Sequence, residues 1–198
     1  MLGLRTFRAV LVICAVAVFP LGSVAMAETW SGGGGDDLWS TGANWGGIAP
    51  SSGSTTALVF DGSTRLTPGQ DIEDSPGPPS TSGFMFNSMT FNAGAGAFAL
   101  DGTVDPGTYA KLPAPPPATL PDGLTGHNKL ELDGTSPFIT TNSPNDIVIR
   151  GTITANGGIN TINVNSTGSL QIPWITGGTG NVVVKEGSGK LIIYEDAD

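Results

Sequence analysis

The sequence predicts an all-β fold, and three observations lead to this prediction. Glycine and proline are unusually abundant. The apolar residues fall in short runs that are rich in β-branched and aromatic types, and turn-forming residues bound nearly all of these runs. Short strands that restart regularly are typical of a β-sandwich, a barrel or a β-solenoid.

Residues 1–27 have the three-part pattern of a cleavable secretory signal peptide. Arg5 and Arg8 make the start positive, and an apolar run extends from Ala9 to Phe19. Ala25 and Ala27 then supply the small side chains that a signal peptidase requires. The apolar run is shorter than the roughly 20 residues of a spanning helix. We therefore predict export to the cell surface, the outer membrane or the extracellular space, with cleavage after Ala27.

The exported part, residues 28–198, retains 28 of the 30 glycines and 14 of the 15 prolines. Its longest stretch without either residue is Phe84 to Ala93, which is ten residues long. Because helix interiors tolerate glycine and proline poorly, helix is nearly excluded as a major component. The choice is then between β structure and disorder.

Charge and cysteine content limit the partners of the exported part. Six basic residues face 17 acidic ones, so the net charge is −11, and the chain's one cysteine, Cys14, lies in the leader. An acidic chain is a poor match to nucleic acid, and stability cannot come from disulfides. No later segment is apolar enough to span a membrane. The expected partners are extracellular polysaccharide or neighbouring β-solenoid units.

Ten short apolar runs decide for β structure over disorder, because most are β-branched or aromatic. They are 57–60, 84–86, 89–91, 98–100, 130–132, 147–149, 162–164, 170–172, 182–184 and 191–194. From residue 146 on, strands are expected to restart every 10–13 residues. An Asp-Gly pair follows three of the runs, at Asp61, Asp101 and Asp133. Each pair predicts a turn, since Gly readily adopts positive φ.

Two Pro-rich stretches, 68–82 and 104–126, interrupt this pattern. Prolines favour extended, solvated backbone, so we interpret both as irregular insertions. A third segment, Gly32–Gly35, lacks the lysine and hydroxyl residue of a phosphate loop and is interpreted as a flexible linker.

The motifs at both ends of the exported part resemble bacterial proteins with autotransporter-associated β-strand repeats. The first segment contains Trp30, Trp39 and Trp45 among glycines, and the last contains Lys185, Gly187, Gly189 and Leu191 in the spacing Lys-x-Gly-x-Gly-x-Leu. The match covers most of 29–62 and 84–198. The resemblance implies a right-handed parallel β-helix, exported, with a structural or adhesive role and no catalytic residues. An antiparallel β-sandwich is the alternative fold.

One feature departs from this family. The Gly-x-Gly-x-Leu step occurs once, close to Asp198. We therefore predict that the chain is the N-terminal portion of something longer or a truncated gene product. A solenoid end without a cap leaves an open edge, so Leu191 to Tyr194 is expected to be prone to aggregation.

The tryptophans are the candidate binding residues. Exposed Trp39 and Trp45 would stack on sugar rings, which makes a carbohydrate-binding module the first alternative function. The preferred interpretation is that they cap the open end of the solenoid. Trp174 follows Pro173 and is expected in the core.

No residue constellation predicts catalysis, a cofactor or a metal site. His127 is the one histidine and lies in a loop-like context. Asp36 and Asp37 are sequence neighbours, as are Glu73 and Asp74. Neighbours on a strand point to opposite faces, so neither pair is a natural couple of facing catalytic carboxylates. With Asp71 these acids could bind calcium, but their spacing matches no calcium loop. A fragment of a polysaccharide-active β-helix enzyme remains the second alternative.

Cleavage after Ala27 is directly measurable. When the full chain is expressed in a diderm bacterium, we expect the exported protein to begin at Glu28, as read by intact mass and N-terminal sequencing. Ala27→Arg places a long charged side chain where the peptidase needs a small one, and we expect it to accumulate the uncleaved precursor. An exported wild-type protein that keeps Met1 would contradict the prediction.

Overall fold

The computed structural model describes residues 27–72, 83–100, 129–156 and 158–194. Within these ranges the chain is all-β, with one short 3₁₀ helix at Gly42–Trp45. The strands belong to three sheets. This confirms the predicted fold class.

The fourteen strands of the described ranges are short, and most have three to five residues. They are β1 (Ala27–Trp30), β2 (Ala57–Phe60), β3 (Phe84–Phe86), β4 (Ser88–Phe91), β5 (Ala99–Leu100), β6 (Lys129–Leu132), β7 (Phe138–Thr141), β8 (Ile147–Ile149), β9 (Thr152–Ala155), β10 (Ile159–Val164), β11 (Ser169–Pro173), β12 (Ile175–Gly177), β13 (Val182–Glu186) and β14 (Lys190–Tyr194).

The chain visits the three sheets in cyclic order. Sheet 1 has the order β1-β2-β4-β7-β10-β13, sheet 2 has β5-β8-β11-β14 in space, and sheet 3 has β3-β6-β9-β12. From β4 onward, three successive strands enter sheets 1, 2 and 3 and so form one coil. Every strand pair of the described residues is parallel. The arrangement is coarsely that of a β-solenoid, and the antiparallel β-sandwich is wrong.

The coil length is nearly constant in the second half of the chain. Phe138 pairs with Thr161 and Ile159 pairs with Val182, and the partners are 23 residues apart in both pairs. The hydrogen-bonded side chains of Asn142 and Asn165 are also 23 residues apart. The register partners Ser88 and Phe138 are farther apart, by 50 residues. Asn145 and Ala95, which are joined by a hydrogen bond, have the same separation. The excess corresponds to the part of the chain between β5 and β6. That part contains the Pro-rich stretch 104–126 and lies outside the described residues.

Alternation along each strand decides which side chains enter the core. In β10 the burial pattern places Ile162 and Val164 inside, whereas Asn163 between them is partly exposed. Because parallel pairing keeps register, inward residues of successive coils stack on one another. One such column in sheet 1 is Leu58, Met89, Ile139 and Ile162, all fully buried.

The composition of the core changes along the coils. Aromatic side chains fill the first coils, where Phe60 stacks on Phe91 with 5.0 Å between ring centroids. Phe98 lies edge-on to Phe60 at 5.4 Å. The later coils are filled by aliphatic residues such as Ile149 and Ile172. The amino-terminal end is therefore the bulkiest part of the core.

All ten predicted runs coincide with strands, and the structure has four further strands that the sequence does not predict. These are β1, β7, β9 and β12, so most strands after residue 146 restart at shorter intervals than expected. The turns at Asp61 and Asp133 are confirmed: each carboxylate accepts a hydrogen bond from the next glycine N–H, at 2.8 and 2.6 Å. The third pair, Asp101-Gly102, lies outside the described residues.

The core position predicted for Trp174 is wrong. This residue lies between β11 and β12, where the chain turns from sheet 2 into sheet 3, and its side chain is 61% exposed. Pro173 ends the preceding strand, and the indole points away from the core at the corner. A tryptophan at a corner escapes the alternation that buries side chains within strands.

Replacing the stacked Ile139 by alanine tests the inward column. We expect Ile139→Ala to lower the free energy of unfolding by about 2–5 kcal/mol, because it leaves a cavity in a fully buried column. Its neighbour Thr140 is outward and partly exposed, so Thr140→Ala should cost less than about 1 kcal/mol. Urea unfolding monitored by tryptophan fluorescence measures both. Equal losses, or the reverse order, would contradict the inward assignment.

Candidate functional site

The amino-terminal tryptophans were the candidate binding residues, and the structure buries them. Trp30 and Trp39 are fully buried, and Trp45 is 5% exposed. A ring must offer a free face to stack on a sugar, and neither Trp39 nor Trp45 does. The carbohydrate-stacking role for this pair is therefore wrong in this structure.

The three indoles pack against one another over the first coils. Trp45 lies edge-on to Trp30 at 5.1 Å and to Trp39 at 5.6 Å between ring centroids. Trp39 also meets Phe84 edge-on at 5.2 Å, and Phe60 contacts all three indoles. Such edge-to-face pairs are favourable for aromatic rings. The cluster closes the end of the core that precedes β2, and we call it the tryptophan cap.

Asn44 holds the backbone around the tryptophan cap. Its side chain is fully buried, accepts a hydrogen bond from the Gly34 N–H at 2.8 Å, and donates to the carbonyls of Asp36 and Leu38, both at 3.0 Å. A Cβ on Gly34 would lie 2.6 Å from the Asn44 Oδ1 atom. Gly34 is therefore packed against Asn44, Gly32 and Gly33 also have close neighbours, and the prediction of a flexible linker for Gly32–Gly35 is wrong.

Arg65 ties the tryptophan cap to the segment that follows β2. Its Nη1 atom lies 2.7 Å from an Asp37 carboxylate oxygen, and its Nε donates to the Gly34 carbonyl at 3.0 Å. Its own carbonyl accepts the Trp30 indole N–H at 3.3 Å. These contacts hold a backbone with φ of +51°, which side chains other than glycine seldom adopt.

The carboxylates next to the tryptophan cap form hydrogen bonds and an ion pair with the segments around it. Asp36 accepts hydrogen bonds from the Thr41 hydroxyl at 2.9 Å and the Leu38 N–H at 3.1 Å. These bonds, that from Thr41 foremost, lower the pKa of Asp36 below its ordinary value of 3.8. Asp71 accepts from the Ser40 N–H at 2.8 Å and from its hydroxyl. Asp36 and Asp71 therefore bind local donors, and Asp37 pairs with Arg65.

A row of hydrogen-bonded polar side chains, which we call the polar ladder, follows the carboxyl-terminal ends of the strands in sheet 1. Asn92 donates to the Asp61 carboxylate at 3.0 Å, and Asn165 donates to the Asn142 side-chain oxygen at 3.0 Å. Each side chain follows a strand by one residue, so the ladder repeats with the coils. It satisfies polar groups at the turn and brings no acid–base pair together.

The remaining predicted residues divide into two groups. Ala27 begins β1, whereas Ala25, Glu73, Asp74 and His127 lie outside the described residues. Over the described ranges, no group of three or more His, Cys, Asp or Glu side chains could hold a metal ion. In the same part of the chain, no helix is long and apolar enough to cross a membrane.

Comparison with known proteins leaves the function to the geometry. No protein-family model, no curated protein and no solved structure matches this chain.

Truncating a tryptophan of the cap should destabilise the protein far more than truncating the exposed one. We expect Trp39→Ala to lower the free energy of unfolding by about 3–5 kcal/mol, since it empties a fully buried aromatic site. Trp174→Ala should change it by less than about 0.5 kcal/mol. Chemical denaturation followed by circular dichroism measures both. A Trp39→Ala protein as stable as Trp174→Ala would show that the cap is not part of the folded core.

The lowered pKa of Asp36 predicts a pH dependence. Because the native pKa lies below the unfolded value, ionised Asp36 stabilises the fold above about pH 3.8, and the effect is lost as pH falls through the lower native pKa. Asp36→Asn cannot gain this stabilisation. We expect the wild type to be the more stable at about pH 6 and the gap to narrow towards pH 3. A gap that widens on acidification would contradict the assignment.

Proposed function

We propose that this chain is an exported, non-catalytic protein with a structural or adhesive role at the cell surface or in an extracellular matrix. In this proposal its coils form a right-handed parallel β-helix, similar to the passenger repeats of autotransporter-associated proteins. The residues carry no enzymatic task. The predicted signal peptide supplies the route out of the cytoplasm.

One observation carries the proposal: the side chains best suited to recognition or chemistry stabilise the fold. Three of the four tryptophans lie in the buried cap. Asp37 pairs with Arg65, and Asp36 accepts from Thr41 and Leu38. A group held in this way is not free to bind a substrate, so the region with the most distinctive residues acts as a structural end piece.

The outward faces of the coils support the same role. The outward position next to each core residue is often threonine or asparagine, as at Thr140, Thr161 and Asn163. On sheet 3 the hydroxyls of Thr154 and Thr176 lie 3.2 Å apart on successive coils. Short, neutral polar side chains in rows give a flat, hydrated surface, which suits an extended scaffold in water.

The junction with the predicted leader also supports export. Glu28, Thr29 and Trp30 would remain paired with β2 after cleavage. Cleavage after Ala27 would therefore keep three of the four register pairs between β1 and β2.

One observation favours a second candidate, a carbohydrate-binding module. Trp174 is 61% exposed at the corner before β12, and a solvent-facing indole can stack on a sugar ring. A single exposed aromatic residue is common on protein surfaces, so this candidate ranks second.

A glycan panel separates the two candidates. We expect purified residues 28–198 to show no Trp174-dependent binding and no release of reducing sugar from any polysaccharide of the panel. The exported protein should cosediment with the cell envelope or the matrix. Trp174→Ala, which should remain folded, is the matched control. Binding that this substitution abolishes would replace the proposal with the binding module, and turnover of a polysaccharide would refute both.

A further inference from the structure

The predicted cleavage point lies in a paired strand. Ala27 and Glu28, the residues on its two sides, both belong to β1. Their register partners in β2 are Ala57 and Leu58. The side chain of Ala27 is exposed, so the access of a peptidase to this bond depends on the backbone of β1.

The N–H of the peptide bond to be cleaved faces β2. The Asp61 N–H donates to the Trp30 carbonyl at 3.3 Å, so Trp30 turns its backbone groups towards β2. Because every second residue of a parallel strand bonds to the same neighbour, Glu28 also turns its N–H and C=O towards β2. A peptidase that takes its substrate as an added extended strand must therefore first displace this stretch from β2.

The residues after Glu28 anchor β1 in the tryptophan cap. Trp30 is fully buried and packs against Trp45 and Phe60. The Ser31 N–H donates to the Asn44 carbonyl at 2.7 Å. Release of the whole strand would draw a buried indole out of the core, so we expect β1 to open rarely in the folded protein.

The partner of β1 emerges late during synthesis and export. Ala27 and Ala57 are 30 residues apart, so the cleavage point cannot pair until β2 is also available. The register partners Ser88 and Phe138 are farther apart still. Folds that are held by such non-local pairs form slowly. The cleavage point is therefore accessible first and becomes protected once the coils stack.

We infer that the leader must be removed before β1 pairs with β2, so that the chain crosses the membrane unfolded and closes its first coils outside. The inference rests on the export in the proposed function and adds an order of events to it. A chain that folds before export would keep its leader, because the fold withholds the bond after Ala27. Arg5 and Arg8 are not adjacent, so the leader lacks the arginine pair of a twin-arginine signal.

A reversible cross-link between β1 and β2 tests this order in the full chain, residues 1–198. Thr29 and Val59 are register partners on the outer face of sheet 1, at the strand spacing of about 4.8 Å that permits a disulfide. The variant is Thr29→Cys/Val59→Cys with Cys14→Ser, since Cys14 is the one native cysteine. We expect the pair to oxidise in the folded precursor, which shows that β1 is paired while the leader is attached.

Cleavage by a purified bacterial signal peptidase in detergent then measures access to the bond, with intact mass to locate the cut. Precursor diluted from urea just before the assay should be cleaved after Ala27. Folded, reduced precursor should be cleaved more than about tenfold more slowly, because cleavage requires the few molecules in which β1 has opened. The β1–β2 cross-link should slow the folded protein further, and a reductant should restore the rate.

Two controls isolate the effect of strand pairing. Oxidised and reduced precursor diluted from urea should be cleaved equally, which shows that the cross-link does not itself disturb the peptidase. Thr140→Cys/Asn163→Cys with Cys14→Ser joins β7 to β10, away from β1. This matched cross-link should leave the cleavage rate of the folded precursor unchanged.

Three results would overturn the inference: equal cleavage of folded and unfolded precursor, no effect of the β1–β2 cross-link on the folded protein, or failure of that pair to oxidise in the precursor. In each case, cleavage of the unfolded precursor after Ala27 would leave the proposed export standing. An unfolded precursor that is not cleaved would instead remove the predicted leader, and with it both the proposed export and this inference.

Discussion

The structure depends on one constraint: each coil must set its inward side chains on those of the coil before it. Residues 28–198 contain no cysteine, and a single three-strand coil has no neighbouring strands of its own to pair with. Burial and parallel hydrogen bonding therefore arise only between coils. In-register pairing is what keeps Met89, Ile139 and Ile162 in one column. A long insertion is tolerated between β5 and β6 because the chain returns to the same register.

This constraint makes the two ends the critical parts of the molecule. A stack of coils must end, and its ends expose core side chains and strand edges. At the first end the aromatic side chains and Asn44 close the core, with Arg65 held in an unusual backbone conformation beside them. Among the described residues, β13 and β14 are the last strands of their sheets.

The alternation and turn residues allowed the fold class and most strands to be predicted, because short apolar runs and Asp-Gly turns are local signals. The strand register could not be predicted, since it relates residues of different coils that are far apart in sequence. Strands β7, β9 and β12 were missed because threonine and glycine dilute their apolar pattern. Parallel architecture came from a resemblance, and the described strand pairs agree with it.

The candidate site shows the limits of local reasoning more clearly. Trp39 and Trp45 were compatible with both a cap and a sugar platform, because sequence does not reveal which way a ring faces. Gly32–Gly35 was interpreted as a linker, since nothing nearby signals that Asn44 occupies the space beside Gly34. The sequence predicts Trp174 in the core as part of a strand, and the corner that exposes it is a feature of the coil.

A disulfide between neighbouring coils tests the central claim most directly. Thr140 and Asn163 are register partners on the outer face of sheet 1, at the strand spacing of about 4.8 Å that permits a disulfide. In residues 28–198, we predict that Thr140→Cys/Asn163→Cys closes an intramolecular disulfide on oxidation, seen as the loss of two hydrogens in the intact mass. Thr140→Cys/Thr161→Cys is shifted by two residues and should remain reduced. A disulfide in the shifted pair alone would contradict the parallel, in-register stacking of the coils.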